Sequence, residues 1–229
     1  MDTQRHSALT TRIVAFSITL LFASYASAVP MLFSGNSSDG HPVSGIADFV
    51  LNDVTDTVSV TLTNTTTTTL DSGELFTGLD FSIGGLTPTL TSATGIQRTV
   101  DGAGVFADTG LPQNLSWSVA SLGGGVYQIN FNPNAKDAII GPPTAGSYAG
   151  ANSSIKGNAG HNPFAGLEAK FELSVPGLGP NSVVDLHAFR YGTTLAQATV
   201  TVVPFPEPAS LALAGMGLVA MAAQGRRRR

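Results

Sequence analysis

The stretch "VSVTLT", Val58 to Thr63, sets Val58, Val60 and Leu62 against Ser59, Thr61 and Thr63 in strict alternation. A period of two puts the apolar side chains on one face of a strand and the hydroxyls on the other. That is the pattern of an antiparallel strand with one face in a core and one in water. It recurs where Tyr127, Ile129 and Phe131 alternate with Gln128 and Asn130, and where Phe171, Leu173 and Val175 alternate with Lys170, Glu172 and Ser174. Between Val29 and Val203 no stretch carries the 3.6-residue period of an amphipathic helix.

Further strands are expected at 46–51, 75–83, 116–122, 183–191 and 198–202. Turn chemistry separates them: Ser38-Asp39-Gly40, Gly84-Gly85, Asp101-Gly102, Gly123-Gly124-Gly125 and Gly177-Leu178-Gly179-Pro180. About eight strands joined by glycine-rich turns predict an all-β fold, an antiparallel β-sandwich of jelly-roll or Ig-like type. Two stretches interrupt the pattern. Asn132 to Pro163 is rich in glycine, asparagine, alanine and proline, and reads as a long surface loop. At Thr61 to Leu70 five threonines follow Asn64; β-branching makes this a strand end running into a polar hairpin loop, with a glycosylated tract as the alternative.

Composition excludes several functions. From Val29 to Phe205 the only basic residues are Arg98, Lys136, Lys156, Lys170 and Arg190, against 13 Asp and Glu. An acidic body gathers no phosphates, so nucleic acid is not an expected partner. With no cysteine, disulfides and thiolate metal sites are excluded, and a core must hold the fold.

Catalytic patterns are missing. No G-x-S-x-G occurs, and in Gly146-Ser147-Tyr148-Ala149-Gly150 the serine stands one place early. His41, His161 and His187 are scattered singly and read as surface or strand histidines rather than ligands. Straight alternation puts Val183, Asp185, His187 and Phe189 on one face; Asp185 and His187 form the best local polar pair but lack a nucleophile. Asn52, Asp53 and Asp56, and Asp101 with Asp108, are candidate calcium ligands, but neither set fits the spaced acidic loop of an EF-hand and turn formation explains both equally well. Trp117, the sole tryptophan, alternates with Leu115 and Val119 and is expected in the core. The chain is thus expected to be no enzyme, with no cofactor and no metal.

The two ends carry the clearest signals. Arg5 and Arg12, the mostly apolar Ile13 to Phe22, and Ala26-Ser27-Ala28 form a signal peptide, with cleavage by signal peptidase leaving Val29 first. At the other end Pro206-Glu207-Pro208 precedes an uncharged run, Ala209 to Ala223, and then Arg226, Arg227, Arg228 and Arg229. Fifteen residues make a helix of roughly 22 Å, short for a bilayer core of about 30 Å. Arginines at its end stay cytoplasmic and snorkel to the headgroups.

This tail resembles the PEP-CTERM sorting signal, in which a Pro-Glu-Pro motif, a short transmembrane helix and an arginine-rich end follow in that order. Phe205 stands between Val203-Pro204 and the motif, where that family often runs Val-Pro-Glu-Pro. The resemblance covers the tail alone. It implies an exosortase as transient partner, recognition through Glu207 between Pro206 and Pro208, and a membrane-bound intermediate before release to the cell surface or outside. By analogy it implies a role in a biofilm or exopolysaccharide matrix. The expected organisation is a signal peptide (1–28), a β-sandwich domain (29–203) and a sorting segment (204–229) with a helix at 209–223 and a basic tail at 226–229. The body is expected to be structural or adhesive; a carbohydrate-binding module and, less favoured, an extracellular hydrolase using Asp185 or Glu168 stay open.

Overall fold

The computed structural model describes residues 28–37, 39–131, 136–193 and 199–201. In chain order the first strands are β1 (Ala28–Asn36), β2 (Pro42–Asn52), β3 (Thr57–Asn64), β4 (Phe76–Ile83) and β5 (Thr89–Gly95). Then come β6 (Gln97–Val100), β7 (Phe106–Asp108), β8 (Gln113–Asn114), β9 (Trp117–Gly123) and β10 (Val126–Phe131). The last are β11 (Ile139–Ile140), β12 (Phe164–Gly166), β13 (Glu168–Ser174), β14 (Val184–Tyr191) and β15 (Thr199–Thr201). Among the described residues the only helical element is a 3-10 turn, Ser72–Glu74, and no helix is long and apolar enough to cross a membrane. The expected helix at 209–223 and the leader before Ala28 lie outside the described residues.

Alternation in β3 is realised as its sequence dictates. Val58, Val60 and Leu62 are at most 1% exposed, while Ser59, Thr61 and Thr63 are half-buried on the other face. The strand lies inside a six-stranded sheet of order β1-β2-β3-β13-β5-β8, with Val60 opposite Phe49 on one side and Phe171 on the other. A nine-stranded sheet runs β15-β14-β4-β11-β12-β6-β7, with β10 added to β4 and β9 to β10. Pairing is antiparallel except between β11 and β12.

Rings from opposite sheets meet between the layers. Phe33 of β1 stacks on Phe189 of β14 with centroids 3.5 Å apart, Phe49 of β2 meets Phe81 of β4 at 5.9 Å, and Trp117 of β9 meets Phe171 of β13 at 5.0 Å. Each such side chain contributes about 1.5–3 kcal/mol of burial. Without a disulfide, this aromatic and aliphatic layer is what holds the sheets together.

All eight expected strands are present, but seven others were not foreseen: β1, β5, β6, β7, β8, β11 and β12. Most of these are too short to show a period. The expected surface loop at 132–163 is corrected more sharply. In its described part, Asp137, Ala138, Ile139, Ile140, Tyr148, Ala151 and Ile155 are buried, and β11 runs within the larger sheet between β4 and β12. Isolated anchors rather than a periodic face hold it. Trp117 Nε1 donates to the Asp137 carbonyl at 2.9 Å, and the Asp137 carboxylate accepts from Ser116 N at 2.7 Å and Gln97 Nε2 at 3.0 Å.

Arg98 clamps the same segment. Its guanidinium grips Asp108 through two bonds of 2.6 Å, donates to the Tyr148 hydroxyl at 3.0 Å and lies 4.2 Å from the Phe106 ring centre. The Tyr148 hydroxyl donates on to the Gly141 carbonyl at 2.6 Å. Replacing Arg98 by methionine keeps the stem but removes the charge-assisted bonds to the partly exposed Asp108 carboxylate and the donor to the Tyr148 hydroxyl, and should cost about 1.5–2 kcal/mol. Urea unfolding reads this directly; a loss under about 0.5 kcal/mol, the level of an ordinary surface change, would show that the clamp is incidental.

The threonine tract is corrected as well. After Asn64 the chain does not turn back as a hairpin but passes to the other sheet, entering β4 at Phe76. Asn64 Nδ2 donates to the carbonyls of Glu74 and Ile139, and Thr66 and Thr69 are buried. A threonine run at a sheet-to-sheet crossing offers hydroxyls where backbone groups leave the ladder.

Candidate functional site

The crossing ends in a capping box at Asp71-Ser72-Gly73-Glu74. Asp71 Oδ1 accepts from Gly73 N at 2.8 Å, and Glu74 Oε2 accepts from Asp71 N at 3.2 Å and also from Leu70 N. These contacts satisfy the free amides at the start of a helical turn. They use one oxygen of each carboxylate. The other oxygen of each, Asp71 Oδ2 and Glu74 Oε1, is turned toward His41 Nδ1, which lies 3.3 Å from both.

His41 reaches this point from the β1–β2 connection. Ser37 N donates to the His41 carbonyl at 2.8 Å, His41 N donates to Ser37 Oγ at 3.2 Å, and Gly40 takes φ +83°, a conformation glycine adopts freely. Asp39 leaves the same connection, its Oδ2 only 2.6 Å from where a Cβ on Gly73 would sit. Glycine at 73 therefore lets a third carboxylate approach the capping box.

Exposure is graded across the cluster. The His41 side chain is 37% exposed, Asp71 17% and Glu74 1%. Glu74 Oε1 and His41 Nδ1 are both buried, and neither makes a hydrogen bond. Burial pushes the Glu74 carboxyl above its ordinary value and the charge of Asp71 adds to this, while the amides of Leu70 and Asp71 and the His41 ring oppose it. The site thus brings together one imidazole nitrogen and two carboxylate oxygens, each of a type that can ligate a cation. Among the described residues, His41, Asp71 and Glu74 are the one such group whose ligand atoms all lie within 4.8 Å of one another.

Of the candidate positions in the sequence, His41 alone belongs to this cluster, where the sequence suggests a surface or strand histidine; the others fall elsewhere. Asn52 Oδ1 accepts from Val54 N and Thr55 N, and Asp101 Oδ1 from Ala103 N and Val105 N, so these form turns, while Asp56 Oδ1 accepts from the distant Leu178 N and ties two loops together. Asp108 is occupied by Arg98. His161 Nδ1 meets the Ser154 carbonyl at 2.6 Å, and half-buried Glu168 pairs with Lys170 at 3.3 Å. His187 is exposed with Asp185, but the shared face with Phe189 is corrected: an irregularity between Leu186 and Ala188 sends Phe189 into the core. Ser82 Oγ lies 3.0 Å from His187 Nε2, on an open outer face where neither group is desolvated.

Pro206, Glu207, Pro208, Arg226, Arg227, Arg228 and Arg229 lie outside the described residues, as does Ala26; Ala28 opens β1. Residues 206–229 match the PEP-CTERM protein-sorting motif. The PEP-CTERM match begins at Pro206 and runs to Arg229, taking in the tripeptide, the uncharged run and the four arginines. It leaves the β-body unassigned. No curated protein matches the chain.

Proposed function

We propose that the chain is an exported cell-surface or extracellular-matrix protein, cut from its membrane tail by an exosortase that reads Pro206-Glu207-Pro208. Its β-body serves as a structural or adhesive element among exopolysaccharide. The match of residues 206–229 to the sorting motif carries this reading. Two further observations support it. The small-x-small site ends at Ala28, so the new terminus would fall on Val29 in β1, whose pairing with β2 runs to Asn36 opposite Pro42. Between Val29 and Phe205, five basic against 13 acidic residues suit an outer-surface protein better than one that binds polyanions.

The matrix role is favoured over a sugar-stacking module by where the aromatics lie. None is exposed among the described residues, and Phe106 and Tyr127 are half-buried. A stacking platform needs aromatic faces open to water.

The experiment is mass spectrometry of the surface form in a host that has an exosortase. The chain should begin at Val29 and lack Arg226 to Arg229. An intact Met1 would overturn the signal peptide, and retained arginines the processing. Retention of the purified surface form on exopolysaccharide from the same host tests the adhesive role, and its absence leaves a structural one.

A further inference from the structure

We propose that His41, Asp71 and Glu74 bind one divalent first-row transition ion, and that this ion staples the β1–β2 connection to the start of β4. Two buried atoms point to it: Glu74 Oε1, on a side chain only 1% exposed, and His41 Nδ1 face one another at 3.3 Å, with no hydrogen bond made by either. An ion pair of imidazolium and carboxylate would close to about 2.7–2.9 Å along an N–H bond. Here Nδ1 stands at the same 3.3 Å from oxygens of two carboxylates, favouring neither. Four ligands at about 2.0–2.1 Å around a tetrahedral ion lie about 3.3 Å from one another, which is the spacing of Nδ1 from each of the two oxygens, and the three atoms all lie within 4.8 Å of one another.

The donor set selects the class of ion. Calcium takes six to eight oxygens, whereas this site offers one imidazole nitrogen and one free oxygen from each of two carboxylates. Imidazole with carboxylate suits zinc and its first-row neighbours. Two carboxylates outweigh one imidazole whether or not the ring is protonated, and a divalent ion neutralises the excess negative charge beside the buried Glu74, where solvent cannot. Asp39, crowding over Gly73, is the candidate fourth ligand, and half-exposed His41 is the side from which the ion enters. The other oxygens are held by backbone amides, so the ligands are oriented before the ion arrives.

In a chain without cysteine such an ion would join the two sheets where a disulfide cannot, since His41 enters β2 of one sheet and Glu74 precedes β4 of the other. The test dialyses the full-length chain against Zn2+, and in parallel against Ca2+, and counts bound metal by mass spectrometry. Wild type should retain one zinc and its unfolding temperature should rise with zinc concentration. His41→Gln leaves the carboxylates and their amide contacts in place. It should bind zinc more than about 100-fold less tightly, beyond the loss seen when only an outer partner is removed. Glu74→Gln keeps shape and should also lose the ion, while His161→Gln and His187→Gln should retain it. A folded wild type that holds no zinc, equal retention by His41→Gln, or stoichiometric calcium in place of zinc would each overturn the assignment.

Discussion

Exchanging Glu207 for alanine should leave the chain in the membrane with Arg226 to Arg229 still attached, in a host with an exosortase where wild type should lose them. The reasoning separates two kinds of tail. If apolar length and terminal charge do all the work, the carboxylate of Glu207 contributes only a solvated charge, and its removal should leave retention unchanged or slightly stronger. If a protease reads it, the two prolines fix φ on either side, keep the segment extended and withhold two backbone donors, so the carboxylate becomes the principal polar handle. Losing one partner of a buried charge pair costs about 2–5 kcal/mol. In rate that is a fall in processing of well over tenfold. Glu207→Asp, which keeps the charge but draws it back by one methylene, should fall between the two. Equal processing of wild type and Glu207→Ala would remove Glu207 from the recognition step.

The β-body was legible where the chain alternates and hidden where it does not. Val58 to Thr63 and Lys170 to Val175 declare their buried faces because a half-buried strand must alternate. β11 and β12, of two and three residues, cannot show a period, so the stretch 132–163 that holds Ile139 and Ile140 reads as a surface loop. Polar partners too distant in sequence to notice hold them: Asp137 under Trp117, and Tyr148 beneath Arg98. The candidate site divides in the same way. Asp71 and Glu74 have the three-residue spacing of a capping box, which a local reading can find. Their free oxygens matter only because His41, thirty positions earlier, is carried to them when β2 and β4 take places in different sheets. No spacing rule joins residues across such a crossing, so a lone histidine read as a surface group becomes the third member of a cluster.

Phe189→Ala should cost about 3–5 kcal/mol, the range for removing a large buried aromatic side chain. That is a large part of the 5–15 kcal/mol by which a domain is usually stable. Straight alternation would place Phe189 beside His187 on the outer face. The irregularity between Leu186 and Ala188 moves it inward, where it is fully buried. There it stacks on Phe33 at 3.5 Å and 20° and meets Phe76 at 5.8 Å, linking an edge strand of the first sheet to the centre of the second. Phe33 has few alternatives, for it lies opposite Gly45, whose missing side chain makes room for its ring. Deleting the Phe189 ring therefore leaves Phe33 without its stacking partner, and an edge strand has only one neighbour in its sheet through which to recover. In urea the midpoint should fall with little change in slope, because the surface exposed on unfolding hardly changes. Phe189→Leu keeps most of the volume and should lose less than half as much. If alanine costs under about 1 kcal/mol, the site collapses freely and the ring stack is not what binds β1 to the body.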